Sequence, residues 1–215
     1  DSMHYYSIAR AIIDQGWWWH IDRLDFPFGL DMYNFQPDGP LNFFIFKILS
    51  IFIQNPIKLV NTFFILSFCL SGIASLWCLR ILGVNTRLSF VLAIAFAFVP
   101  GVFARNIGHL MLTPYLIPFI VTLCVLLITH QWDNLKLHKK MIFIIATILI
   151  SLSYIYYSFF SAFLLFVTLI ALLLRKKINK NNLKISAYSI FIIIFITAIQ
   201  ILPIWNSWNE NPILA

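Results

Sequence analysis

Three groups of residues in this chain have types and spacings that chemistry can use. The first is Asp1, His4 and Tyr5. On a helix, residues three and four positions after Asp1 share its face, so a carboxylate, an imidazole and a phenol would stand together. Asp1 either caps the helix by accepting from a free backbone N–H, or, partly desolvated, serves as a base stronger than an ordinary carboxylate. The second group is Arg105 and His109, four residues apart in a short break between apolar runs. An arginine there can hold a phosphate by charge-assisted hydrogen bonds, or can simply snorkel towards water. His109 can orient a ligand, share a metal with Asp1, or end a helix. The third group is Tyr154, Tyr156 and Tyr157, midway along a long uncharged stretch.

These groups need a scaffold, and composition says which kind. The 215 residues are 61% hydrophobic and only 11% charged, with a mean hydropathy of +0.88. Soluble domains average about 45–50% apolar and about 25% charged. The sequence therefore predicts an all-α, polytopic transmembrane helix bundle. Uncharged runs at 59–79, 88–104, 110–129 and 185–204 each approach the roughly 20 residues a helix needs to cross the hydrocarbon. The run 141–174 is too long for one crossing and predicts two, 141–155 and 157–174, joined near "SYIYYS" (153–158). "DNLKLHKK" before it and "RKKINKNNLK" after it are both basic, which a hairpin puts on one side, and cytoplasmic loops collect Lys and Arg. That places 80–87, 130–140 and 175–184 inside. Residues 1–57, the turn at 105–109, the turn near 155 and the tail from 205 fall outside. Segment 40–53 is about 14 residues long with Lys47 in its middle, and is expected to lie flat on the outer surface.

The expected organisation is thus an extracytoplasmic loop with juxtamembrane helices (1–57), a six-crossing bundle (58–204) and the start of a further outer loop (205–215). The lack of a starting Met and of a basic leader suggests a piece of a longer chain. Six of the eight acidic residues fall in the first 40 positions. No soluble basic face exists, so nucleic acid is not an expected partner. Cys69, Cys78 and Cys124 lie inside apolar runs and fit no zinc or redox spacing.

Within the first loop, Tyr5, Ile8, Ala9, Ile12 and Ile13 recur at helical spacing before a stop at Gly16. Trp17, Trp18 and Trp19 suit a headgroup layer. "DFPFGLDMYNFQPDGP" (25–40) reads as an irregular connection. Asp22, Asp25, Asp31 and Asp38 read as turn formers and solvated charges, and His130 and His138 as ordinary flank residues.

The pattern D-x-x-x-Y-Y-x-I-A-R-A-I-I-x-x-G-W-W from Asp1 to Trp18 resembles the first outer loop of GT-C-type membrane glycosyltransferases, which include aminoarabinose transferases and protein O-mannosyltransferases. "GPLNFFIFKIL" (39–49) sits where that family has its second surface helix. "FPFGLD" (26–31) and "RNIGHL" (105–110) look more like the bacterial YfhO-like branch. The resemblance implies a GT-C-like fold in a bacterial cytoplasmic membrane. It also implies transfer of a sugar from a polyprenyl-phosphate donor to an extracytoplasmic glycan, lipid or protein acceptor. Asp1 then occupies the position of the catalytic base, with His4, Tyr5, Arg105, His109, Tyr154 and Tyr157 as candidate substrate-binding residues. A divalent metal on Asp1 and His109 is the one cofactor in question; Ser2 stands where many relatives carry a second acid, which weighs against it. The alternative class is a non-catalytic membrane protein, such as a lipid-linked saccharide transporter or an envelope-assembly scaffold.

Overall fold

The computed structural model describes residues 2–17, 19–22, 27, 29–31, 39–175 and 179–210. The chain is mostly helical. Helix α1 (Ser2–Gln15) leads to a small antiparallel hairpin, β1 (His20–Ile21) with β2 (Leu30–Asp31), and then to α2 (Pro40–Ser50). The bundle follows as α3 (Pro56–Ile81), α4 (Thr86–Ala97), α5 (Pro100–Arg105), a 3₁₀ turn (Asn106–His109) and α6 (Ile117–Ile128). A second 3₁₀ turn (Trp132–Asn134), α7 (Leu137–Ser151), α8 (Ile155–Leu173) and α9 (Lys180–Glu210) complete it. Among the described residues, four helices are long and apolar enough to cross a membrane: Pro56–Ile81, Thr86–Phe103, Ile155–Leu173 and Lys180–Leu202.

Local sequence explains most boundaries. Asn55 caps α3, its side-chain oxygen accepting from the Lys58 amide at 3.0 Å, with Pro56 at the first helical position. Asn85 caps α4 in the same way through the Leu88 amide at 2.9 Å. Pro100 disfavours a helical Val99, so the helix breaks at 98–99 and restarts as α5. Pro114 acts likewise: residues 110–116 form turns, and α6 has only 12 residues where the apolar run is 20. The run 141–174 divides at Leu152–Tyr154. Helix α9 carries on to Glu210, past Pro203, where the sequence predicts its end.

Two cores hold the chain together. The first joins Tyr5, Ile8, Ala9 and Ile12 of α1 to Phe43 and Phe46 of α2, Leu59, Val60 and Phe63 of α3, and Leu110 and Met111. Ile8, Ile12, Phe46 and Phe63 are fully buried there; each contributes roughly 1.5–3 kcal/mol relative to water exposure. The second gathers α6, α7, α8 and α9 around Leu123, Leu127, Phe143, Leu165 and Ile193.

Beside these apolar cores, three bundle helices turn small residues inward, and large apolar side chains face outward. Helix α3 buries Ser67, Ser71, Ala74 and Ser75; α4 buries Ser89, Ala93 and Ala97; α8 buries Ser158, Ser161 and Thr168. Phe90, Val91 and Ile94 of α4, Phe159, Phe163 and Phe166 of α8, and Phe191, Ile194 and Phe195 of α9 are exposed instead. Small residues let the helices approach closely: a Cβ on Gly72 would meet the Ala97 Cβ at 3.5 Å. Several buried hydroxyls donate to their own helix, as Ser71 to the Ser67 carbonyl at 2.8 Å and Thr147 to that of Phe143 at 2.9 Å. Ser186 reaches across helices to the Leu165 carbonyl at 3.0 Å.

Candidate functional site

The segments that carry the described candidate residues meet at one end of the bundle, against α1. The Asn106–His109 turn packs against both α1 and α3, and the neighbouring Leu110 and Met111 enter the α1 core. The α7–α8 turn reaches the same end. The Leu41 amide at the start of α2 donates to the Leu152 carbonyl at 2.9 Å, and Tyr154 packs on the α1 core. Gln200 of α9 donates to the Ser151 carbonyl at 2.7 Å. Two tyrosine hydroxyls tie the 110–116 loop down: Tyr115 donates to Oδ1 of Asn42 at 2.6 Å and Tyr157 to the Leu112 carbonyl at 2.7 Å. Asn42 is almost fully buried, and its Nδ2 has no hydrogen-bond partner among the described residues.

Segments far apart in sequence thus meet, but the side chains play unequal parts. His109 is exposed at the end of its turn. His4 is half-buried and meets Tyr5 edge-on, ring centroids 5.4 Å apart. Tyr5 is 7% exposed and belongs to the core, so it supports the site from below. Tyr157 spends its hydroxyl on Leu112, and Tyr154 meets Tyr156 edge-on at 5.0 Å. Asp1 and the side chain of Arg105 lie outside the described residues, as do Trp18, Asp25 and Asp38. Among the described residues, no three His, Cys, Asp or Glu side chains converge as a metal would need.

A polar cluster that the sequence reading passes over lies in the β1–β2 hairpin. His20 and Asp31 pair across the strands, with Nδ1 of His20 2.6 Å from Oδ1 of Asp31. The other ring nitrogen, Nε2, lies 3.2 Å from Oδ1 of Asp22, whose Oδ2 accepts from Gln15 at 2.8 Å. Hydrogen bonding to Asp31 raises the His20 pKa above its ordinary 6.5 against the opposing effect of desolvation, and the Asp31 and Asp22 charges add to the rise. Gly29, with φ +76°, makes room: a Cβ there would overlap the His20 ring. Asp22 and Asp31 are therefore partners of a histidine rather than turn formers alone. The signal was an H-x-D spacing in a loop rich in aspartate.

The opposite end is basic and cross-linked. Asn179 donates to Oδ2 of Asp133 at 2.9 Å, and Asn181 donates to its Oδ1. These bonds, that of Asn179 foremost, hold the Asp133 carboxyl below its ordinary 3.8, with help from the Lys140 and His130 charges. Fully buried Asn182 donates to the Leu127 carbonyl at 2.8 Å and approaches Nδ1 of His130 at 3.1 Å. Arg175 donates to the Ile128 carbonyl. Arg175 after α8 and Asn182 in the first turn of α9 thus cap the last carbonyls of α6, where His130 takes φ +58°. His130 is a member of this joint and not merely a flank residue.

Neither a curated protein nor a solved structure matches the chain. Residues 1–206 match DUF6311, a domain of unknown function, and the chain belongs to that family.

Proposed function

We propose that the chain belongs to an integral membrane glycosyltransferase with a GT-C-like layout. In this reading it moves a sugar from a polyprenyl-phosphate donor to an acceptor outside the cytoplasm. The observation that carries the membrane part is the apolar outer surface of the bundle: phenylalanines and isoleucines are exposed along α4, α8 and α9, while serines, threonines and alanines are buried among the core leucines and phenylalanines. In water that arrangement exposes apolar area without reward; in lipid it leaves small residues for close helix contact. Charge supports the orientation. Segments 80–87, 130–140 and 175–184 hold ten of the fifteen Lys and Arg residues and only Asp133 as an acid. They meet at the end opposite α1, as the cytoplasmic side of a membrane protein would.

The α1 end then faces outward, and the meeting there of the 106–109 turn, the 152–154 turn and α1 supports a single site. The acceptor hydroxyl gives its proton to Asp1 as its oxygen attacks the anomeric carbon. The bond from that carbon to the phosphate oxygen breaks, and the phosphate leaves with its electron pair towards Arg105. Attack opposite the leaving group inverts the sugar carbon. His4 and His109 stand at the rim as substrate contacts. Replacing Asp1 with Asn in the full-length protein should abolish transfer from labelled polyprenyl-phosphate sugar while leaving membrane insertion intact. Unchanged transfer removes Asp1 from the mechanism. Movement of the labelled lipid without incorporation selects the transporter reading.

A further inference from the structure

At the basic end, four of the described lysines have no ion-pair partner among the described residues. Lys136, Lys180 and Lys184 are exposed and Lys139 is half-exposed; none of the four takes part in a salt bridge among the described residues. The nearest acid is Asp133, and the neutral amides of Asn179 and Asn181 occupy both its oxygens. Lys140 bonds the Asp133 backbone carbonyl, at 3.3 Å, and lies over the Trp132 ring. The same amides join the loop before α7 to the loop before α9, so the positive groups are held on one cross-linked platform. An unneutralised platform of this kind calls for an external anion.

The surroundings say what carries that anion. Leu137, next to Lys136, is 75% exposed, and Leu174, next to Arg175, is 82% exposed. Tyr188, one turn beyond Lys184 on α9, is also exposed. A nucleic acid or a free phosphate would leave those leucines facing water. A ligand with an anionic head and apolar chains satisfies the lysines and the leucines together. We infer that this end binds anionic phospholipid headgroups of the leaflet it meets, through Lys136, Lys139, Lys180 and Lys184. The inference rests on the membrane reading but not on any transferase activity.

The test uses the whole chain, purified in mild detergent with a defined mixture of phosphatidylglycerol and phosphatidylcholine, and counts retained lipids by native mass spectrometry. The wild type should retain phosphatidylglycerol in preference to phosphatidylcholine. Replacing the four lysines with Gln should cut that preference by about fivefold per effective lysine, and replacing them with Arg should preserve it. Equal retention of the two lipids by the wild type overturns the inference, as does an unchanged preference in the Gln variant. Displacement of phosphatidylglycerol by millimolar inorganic phosphate would assign the platform to a free anion and overturn it too. Asp1→Asn should leave retention untouched, so failure of this inference and failure of the transferase reading can be told apart.

Discussion

Gly39 offers the sharpest test of how the α1 end is assembled. It precedes α2 with φ +84° and ψ +102°, and a Cβ there would overlap the Ser153 carbonyl and lie 3.2 Å from the Tyr154 amide nitrogen. Gly39→Ala therefore brings two separable penalties. A left-handed backbone on a residue with a Cβ costs about 1–2 kcal/mol. The overlap forces α2 off the 152–154 turn, with about 1–3 kcal/mol of overpacking and about 1 kcal/mol for the Leu41-to-Leu152 hydrogen bond. Gly83→Ala supplies the control, because Gly83 has φ +81° and nothing within 4 Å of its would-be Cβ, so only the backbone penalty applies. At about 2–4 °C per kcal/mol for a chain of this size, Gly83→Ala should lower the melting temperature by about 2–8 °C. Gly39→Ala should fall at least about 4 °C further. Hydrogen exchange at the Leu41 amide should speed up in Gly39→Ala and not in Gly83→Ala. If the two variants melt together and Leu41 stays protected, α2 is not seated on the α7–α8 turn and the single-ended site loses its frame.

Other consequences can be checked on the same preparations. Because the folded His20 pKa is raised, the stability it gives the β1–β2 hairpin is complete below pH 6.5 and is lost as pH rises through the raised value. A histidine titration by NMR should show a midpoint above 6.5 that Asp31→Asn moves down; a midpoint at or below 6.5 contradicts the pairing. Asp133 has the opposite sign: its contribution is present above pH 3.8 and is lost as pH falls through the lowered value. The cross-link at the basic end should therefore survive mild acid, as exchange protection in residues 179–182 would report. Asn182→Ala removes one of the two donors to the Leu127 carbonyl, the His130 amide at 3.3 Å remaining, and should cost about 1 kcal/mol; a melting temperature within a degree of the parent would show that the amide is dispensable.

The parts of the architecture that can be read from sequence are the local ones. The Tyr5, Ile8, Ala9 and Ile12 stripe is the buried face of α1, because helical periodicity needs no knowledge of the partner. The division of the 141–174 run follows from length; the breaks before Pro100 and at Pro114 interrupt the expected crossings 88–104 and 110–129, and proline stereochemistry accounts for them. What stays hidden is pairing across distance. His20 and Asp31 are separated by a loop whose composition says only that it turns. Asn182 looks like one polar residue among several in "NKNNLK", yet it alone of the three asparagines is fully buried, because α6 ends where it can be reached. Of the candidate site, the spacing of His4 and Tyr5 was visible.

Helix α9 sets one more constraint. Its 31 residues span about 46 Å at 1.5 Å per residue, whereas a hydrocarbon slab is about 30 Å thick and helices rarely lean beyond about 40°. Even at that lean the rod overshoots by about a turn. In the proposed orientation its last turns, with exposed Trp205, form a mast standing clear of the lipid, on the side to which Gln200 ties the α7–α8 turn.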